Sequence, residues 1–118
     1  MSQLLYIFTH APYGNTMGQE GLDAVLAGAT FEQELSLLFL HDGVYQLKTN
    51  QQTQDNGLKP FTKAYAALDD FGVQQLYIHD LSLTARGIGE DELIVATKSI
   101  DTDQVRELIA QYDKVFTF

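Results

Sequence analysis

The chain has 118 residues, with seven Lys and Arg against sixteen Asp and Glu for a formal charge of −9, and no cysteine. A chain of that length suits one domain that buries its own core, while the negative charge repels a phosphate backbone and argues against direct nucleic-acid binding. Without a sulfhydryl, disulfides, thiolate metal sites and persulfide chemistry on this polypeptide are excluded.

The apolar run LLYIFT, residues 4–9, predicts a first strand covered on both faces. It runs into the glycine-bearing stretch THAPYGNTMGQEGLDAVLAG, residues 9–28. There Thr16 and Gln19 have capping-box spacing, and Leu22, Val25, Leu26 and Ala29 mark the buried stripe of a helix. LSLLFL, residues 35–40, predicts the second strand, with a short helical segment after Asp42. The polar stretch KTNQQTQDNG, residues 48–57, reads as an exposed loop. Pro60 then suits a first helical turn, Phe61, Tyr65, Leu68 and Phe71 share one side, and Gly72 stops the helix.

QLYIH, residues 75–79, predicts the third strand, and a short helix over 80–86 ends at Gly87, where Arg86 is a cation at a helix C-terminus. Glu90, Asp91 and Glu92 form a solvated acidic turn before the apolar run LIVAT, residues 93–97, which predicts the fourth strand. Asp101 caps a last helix whose Val105, Leu108, Ile109 and Tyr112 face inward, and VFTF, residues 115–118, closes the chain as a fifth strand. Strands alternating with helices predict an α/β fold, with a mostly parallel sheet carrying helices on its faces, in a single domain over residues 1–118. No apolar run is long enough to span a bilayer, and Met1-Ser2-Gln3 lacks the charged start of a signal peptide, so a cytoplasmic protein without membrane contact is expected.

Gly14, Gly18 and Gly21 are spaced G-x-x-x-G-x-x-G, which matches neither the dinucleotide fingerprint nor a phosphate loop with its Lys-Ser/Thr end. No cofactor motif is left. Their expected role is structural, with nucleotide binding the minor reading: Gly14 turns the chain, Gly18 and Gly21 let the helix approach the sheet or a neighbouring chain, and Ala24 adds to a small-residue face for subunit contact. Tyr13, in the same loop, joins them as a candidate subunit contact.

A second group stands at the strand ends. His10, His41 and His79 each close a predicted strand, and Asp42 and Asp80 follow two of them. A parallel sheet places all of these on one edge, where α/β proteins bind ligands, and three imidazoles on neighbouring strands could approach one metal ion. The plainer reading makes each histidine a partly exposed strand-end residue and Asp42 and Asp80 helix caps. No Ser-His-Asp order or close carboxylate pair points to an independent enzyme.

Several long stretches resemble the TusC/DsrF family: YIFTHAPYGNTMGQEGLDAVLAGATFEQELSLLFLHDGVYQL, then LYIHDLSLTARGIG, then YDKVFTF. The likeness covers nearly the whole chain. It implies a DsrE/DsrF-like three-layer α/β/α fold, flavodoxin-like in appearance, around a five-stranded sheet. It also implies a place beside TusB-like and TusD-like subunits in a heterohexamer. Such an assembly takes sulfur from TusA and passes it through TusE to MnmA for 2-thiolation of the tRNA wobble uridine. In the cysteine-bearing relatives the acceptor lies eight residues before the glycine of the RG turn, which is position 79 here. His79 cannot carry sulfane sulfur, so the resemblance implies an accessory subunit without a catalytic residue. A DsrF-like subunit of a sulfur-oxidation complex and a small-molecule or metal-binding protein using the strand-end histidines are the alternative readings.

Overall fold

The computed structural model describes residues 3–10, 24, 34–47, 73–93 and 96–118. The expected helices over 16–29 and 60–71 and the loop over 48–57 lie outside these residues, apart from Ala24, which is helical. Among the described residues there are five strands: β1 (Gln3–Phe8), β2 (Glu34–Phe39), β3 (Val73–His79), β4 (Lys98–Ile100) and β5 (Lys114–Thr117). They form one sheet in the order β4-β3-β2-β1-β5, and every pairing is parallel.

The two faces follow from the side-chain period of two along each strand. Leu4, Tyr6 and Phe8 of β1, Leu35, Leu37 and Phe39 of β2, and Leu76 and Ile78 of β3 pack on one face, and Leu5, Ile7, Leu38 and Tyr77 on the other. In β1 and β2 both sets are buried, so these strands read as unbroken apolar runs instead of alternating ones.

Chain direction decides which elements cover each face. From β1 to β4 the chain steps one way across the sheet, and right-handed crossovers put the intervening elements on one side. There lie Ala24, the 3₁₀ segment His41–Leu47 and the helix α1 (Asp80–Ala85), packed through Val44, Leu47 and Leu83. The last connection travels back from β4 to β5 and puts the helix α2 (Thr102–Gln111) on the other side. Asp101 caps α2 by accepting from the Gln104 N–H, while Gln104 Oε1 accepts the Asp101 N–H. Val105 and Leu108 of α2 are buried, with Ile109 and Tyr112 packed at their margin. Burial pushes the Tyr77 phenol above its ordinary pKa, and the neighbouring Tyr112 adds to the shift.

β4 departs from expectation. The run LIVAT predicts a strand over 93–97, whereas the strand is Lys98–Ile100, and Leu93 makes only an isolated bridge. An edge strand pairs on one side only, and Lys98 and Ser99 are exposed, so it needs no apolar run.

Candidate functional site

Ligands of an open parallel sheet bind beyond the carboxyl ends of its strands. β1, β2 and β3 are immediate neighbours, so His10, His41 and His79 do reach one edge. Register then separates them. Phe8, Phe39 and Ile78 stand on one level, so His79 lies one residue beyond it and His10 and His41 two.

His10 is exposed, with Nδ1 3.2 Å from Thr9 Oγ1, and its carbonyl accepts a bond from Gln46 Nε2 at 3.0 Å. His41 is also exposed. Its φ of 52° turns the chain sharply off β2 into the 3₁₀ segment, and its N–H donates to Ser82 Oγ at 2.9 Å.

His79 is half-buried and held at both ends of its ring, with Nδ1 2.7 Å from Ser82 Oγ and Nε2 2.9 Å from Thr102 Oγ1. Ser82 already accepts the His41 amide. The proton assignment that uses each donor once has the Ser82 hydroxyl donating to Nδ1 and the Nε2–H donating to Thr102. One imidazole thus ties β3 to the first turns of both α1 and α2. Both ring nitrogens are engaged within the protein, and among the described residues no three His, Asp or Glu side chains are grouped to hold a metal ion.

The aspartates do not cap helices as expected. The N-cap of α1 is His79, with φ −80° and ψ 120°, because helix follows strand with no intervening loop. Asp80 is therefore the first helical residue, and its Oδ1 is buried without a hydrogen-bond partner among the described residues. Asp42 sits second in its 3₁₀ segment and accepts from Arg86 Nε at 2.9 Å, while Arg86 Nη1 donates to the Ser82 carbonyl at 3.2 Å. Arg86 thus serves the carboxyl end of α1, as expected, and also fastens α1 to the 3₁₀ segment. Tyr13, Gly14, Gly18 and Gly21 lie outside the described residues, and Ala24 is half-buried against the core cluster of its face.

Ser82 and Thr102 are absent from the sequence reading. The spacing of Ser82, three residues after His79 at a helix start, offers a local signal for the first. Nothing local signals Thr102, which reaches His79 only because β4 lies beside β3 and delivers α2 there. Ser82 is 4% exposed, so Ser82→Ala leaves the His41 amide and a His79 nitrogen without their partner. We expect a loss of about 1–3 kcal/mol in urea unfolding, and a change smaller than about 0.5 kcal/mol would remove the network from the account.

An all-parallel sheet faced on both sides, whose strand-end edge is knit by an imidazole between two hydroxyls, defines a thiol-free α/β domain. The DsrE/DsrF-like family model matches residues 2–118, and the chain belongs to that family. It is 37% identical over 118 residues to a TusC homolog of Pseudomonas aeruginosa, with 99% of each chain covered. It is 32% identical to a TusC homolog of Vibrio parahaemolyticus, with both chains covered in full. The intracellular sulfur oxidation protein DsrF of Allochromatium vinosum is 36% identical, with all of this chain and 97% of that protein covered. In fold, the chain is similar to the ychN protein from E. coli, with a TM-score of 0.85 over the full length of both chains at 21% identity.

Proposed function

We propose that this chain is a non-catalytic subunit of a TusBCD-type sulfur-relay complex that supports 2-thiolation of the tRNA wobble uridine. In this role it holds and positions a cysteine-bearing TusD-like sibling, with TusA, TusE and MnmA acting before and after the complex. The observation that carries the reading is the occupant of position 79. Sulfane sulfur is taken up and released by a thiolate, and this chain has an imidazole there, fastened by Ser82 and Thr102, with no cysteine anywhere. Full-length likeness to proteins named TusC supports the choice of subunit. The charge of −9 fits a subunit that leaves tRNA contact to other members.

The likeness to DsrF favours a second reading, a DsrF-like subunit of a sulfur-oxidation complex. Co-expression with the TusB-like and TusD-like siblings, together with deletion of this chain's gene, tests both. The first reading expects one co-purifying heterohexamer and loss of 2-thiouridine from tRNA. A hexamer with unchanged 2-thiouridine and impaired sulfur oxidation selects the second. A chain that stays monomeric beside both siblings overturns both.

A further inference from the structure

We propose that β5 pairs antiparallel with β5 of a second copy of this chain, across a two-fold axis at Phe116, so that two sheets join into one. β5 stands at the end of the strand order, and all four of its residues are exposed. Val115 is 38% exposed and Phe116 42%, and neighbouring residues of a strand point to opposite faces, so β5 is uncovered on both. Main-chain donors and acceptors beside exposed apolar side chains form a template for another strand.

The bonds to β1 show which groups point outward. The Phe118 N–H donates to the Ile7 carbonyl and the Phe118 carbonyl accepts from the Thr9 N–H, both at 2.8 Å. Main-chain groups alternate in direction along a strand, so those of Phe116 also face β1, and Val115 and Thr117 send their N–H and C=O groups away from it. A second β5 meets all of these groups in one register, with Val115 opposite the second copy's Thr117 and Thr117 opposite its Val115. Each pair exchanges two hydrogen bonds. A shift of two residues in one direction sets Thr117 against Asp113, whose N–H already donates to the Gln3 carbonyl at 3.0 Å, and in the other direction leaves Val115 opposite no described residue.

The same register decides the side-chain contacts. Phe116 falls opposite its own copy in a close pair, with Cα atoms about 4.5 Å apart, on the face where its ring already meets Tyr6. Aromatic cross-strand pairs of this kind are stabilising, and on the other face Val115 meets the β-branched Thr117. Lys114 is the one charged residue over 114–118 and lies opposite the second copy's Phe118, so the seam sets no acid against an acid although each copy carries −9. Identical patches paired about a two-fold axis close at two copies. A seam of two short strands buries less than the roughly 800 Å² per partner of a standard interface, so a dissociation constant of about 10–100 µM is expected. The contact needs no other protein, and its test is therefore separate from that of the subunit role.

The test follows the purified chain alone by sedimentation up to about 500 µM and by backbone amide exchange. A concentration-dependent dimer is expected, strengthened about threefold or more by 0.5 M salt, which screens the like net charges. Protection of the Val115 and Thr117 amides rises with concentration, whereas Phe116 is protected in both states. Val115→Pro removes an outward N–H and none that serves β1, a change edge strands accept, and Phe116→Glu sets two carboxylates across the axis. Each is expected to weaken dimerisation about tenfold or more, while Leu81→Ala, at an apolar position 59% exposed on α1, leaves it unchanged. A chain that sediments as a monomer throughout, self-association without protection of Val115 and Thr117, or an undiminished dimer in Phe116→Glu whose fold circular dichroism verifies overturns the proposal.

Discussion

Gly43→Ala is expected to unfold the chain or to destabilise it by more than about 3 kcal/mol, beyond the usual cost of overpacking. A Cβ built on Gly43 falls 1.8 Å from the Phe8 carbonyl oxygen and 2.4 Å from its carbon. Both are main-chain atoms of β1, a strand paired on both sides, and they cannot swing away as a side chain would. The 3₁₀ segment therefore lies on the end of β1 only because position 43 has no side chain. Gly87→Ala is the matched control. Gly87 has φ +67° with open space around the missing Cβ, so alanine there meets backbone strain alone, worth about 1–2 kcal/mol. Equal urea midpoints for the two variants would show that close approach to β1 is not what demands Gly43.

Phe39→Ala is expected to cost about 3–5 kcal/mol and to lower the melting temperature by roughly 10–20 °C. Phe39 is fully buried at the carboxyl end of β2 and stacks on Phe8, with ring centroids 5.2 Å apart and planes inclined by 15°. Phe8 in turn stacks on Phe118 at 5.8 Å, so the three rings bind the end of the chain to the core just beneath the strand-end edge. Rigid side chains on both sides prevent collapse into the vacated space, which places the cost at the high end for such truncations. Phe116→Ala gives the comparison, since Phe116 is 42% exposed and its ring meets Tyr6 in a T-shaped contact. A loss of about 1 kcal/mol or less is expected there, and comparable melting temperatures for the two variants would contradict this account of the core.

The elements that could be read from sequence are those whose burial is written into neighbouring residues. LLYIFT and LSLLFL announce strands covered on both faces, and Asp101 with Gln104 announces the start of α2, because a cap spans only one helical turn. The fourth strand was expected over 93–97 and lies at Lys98–Ile100, because a short edge strand with exposed Lys98 and Ser99 carries no such record. At the strand-end edge, the placement of the three histidines could be inferred, since a parallel sheet brings strand ends together. Their separation could not, since one residue of register sends the His79 ring to Ser82 and Thr102 and leaves His10 and His41 exposed.

By itself the sequence determined the chemical limits. No fold can supply a thiol to a chain without cysteine, and seven Lys and Arg against sixteen Asp and Glu leave the chain strongly anionic whatever its packing. It also determined the alternation of strands and helices, which rests on local periodicity. The tertiary structure alone decided which distant groups meet: Thr102 with His79, Arg86 with Asp42, and the missing Cβ of Gly43 with the Phe8 carbonyl. Strand order and register set those meetings, and both follow from how the whole chain buries two faces of one sheet.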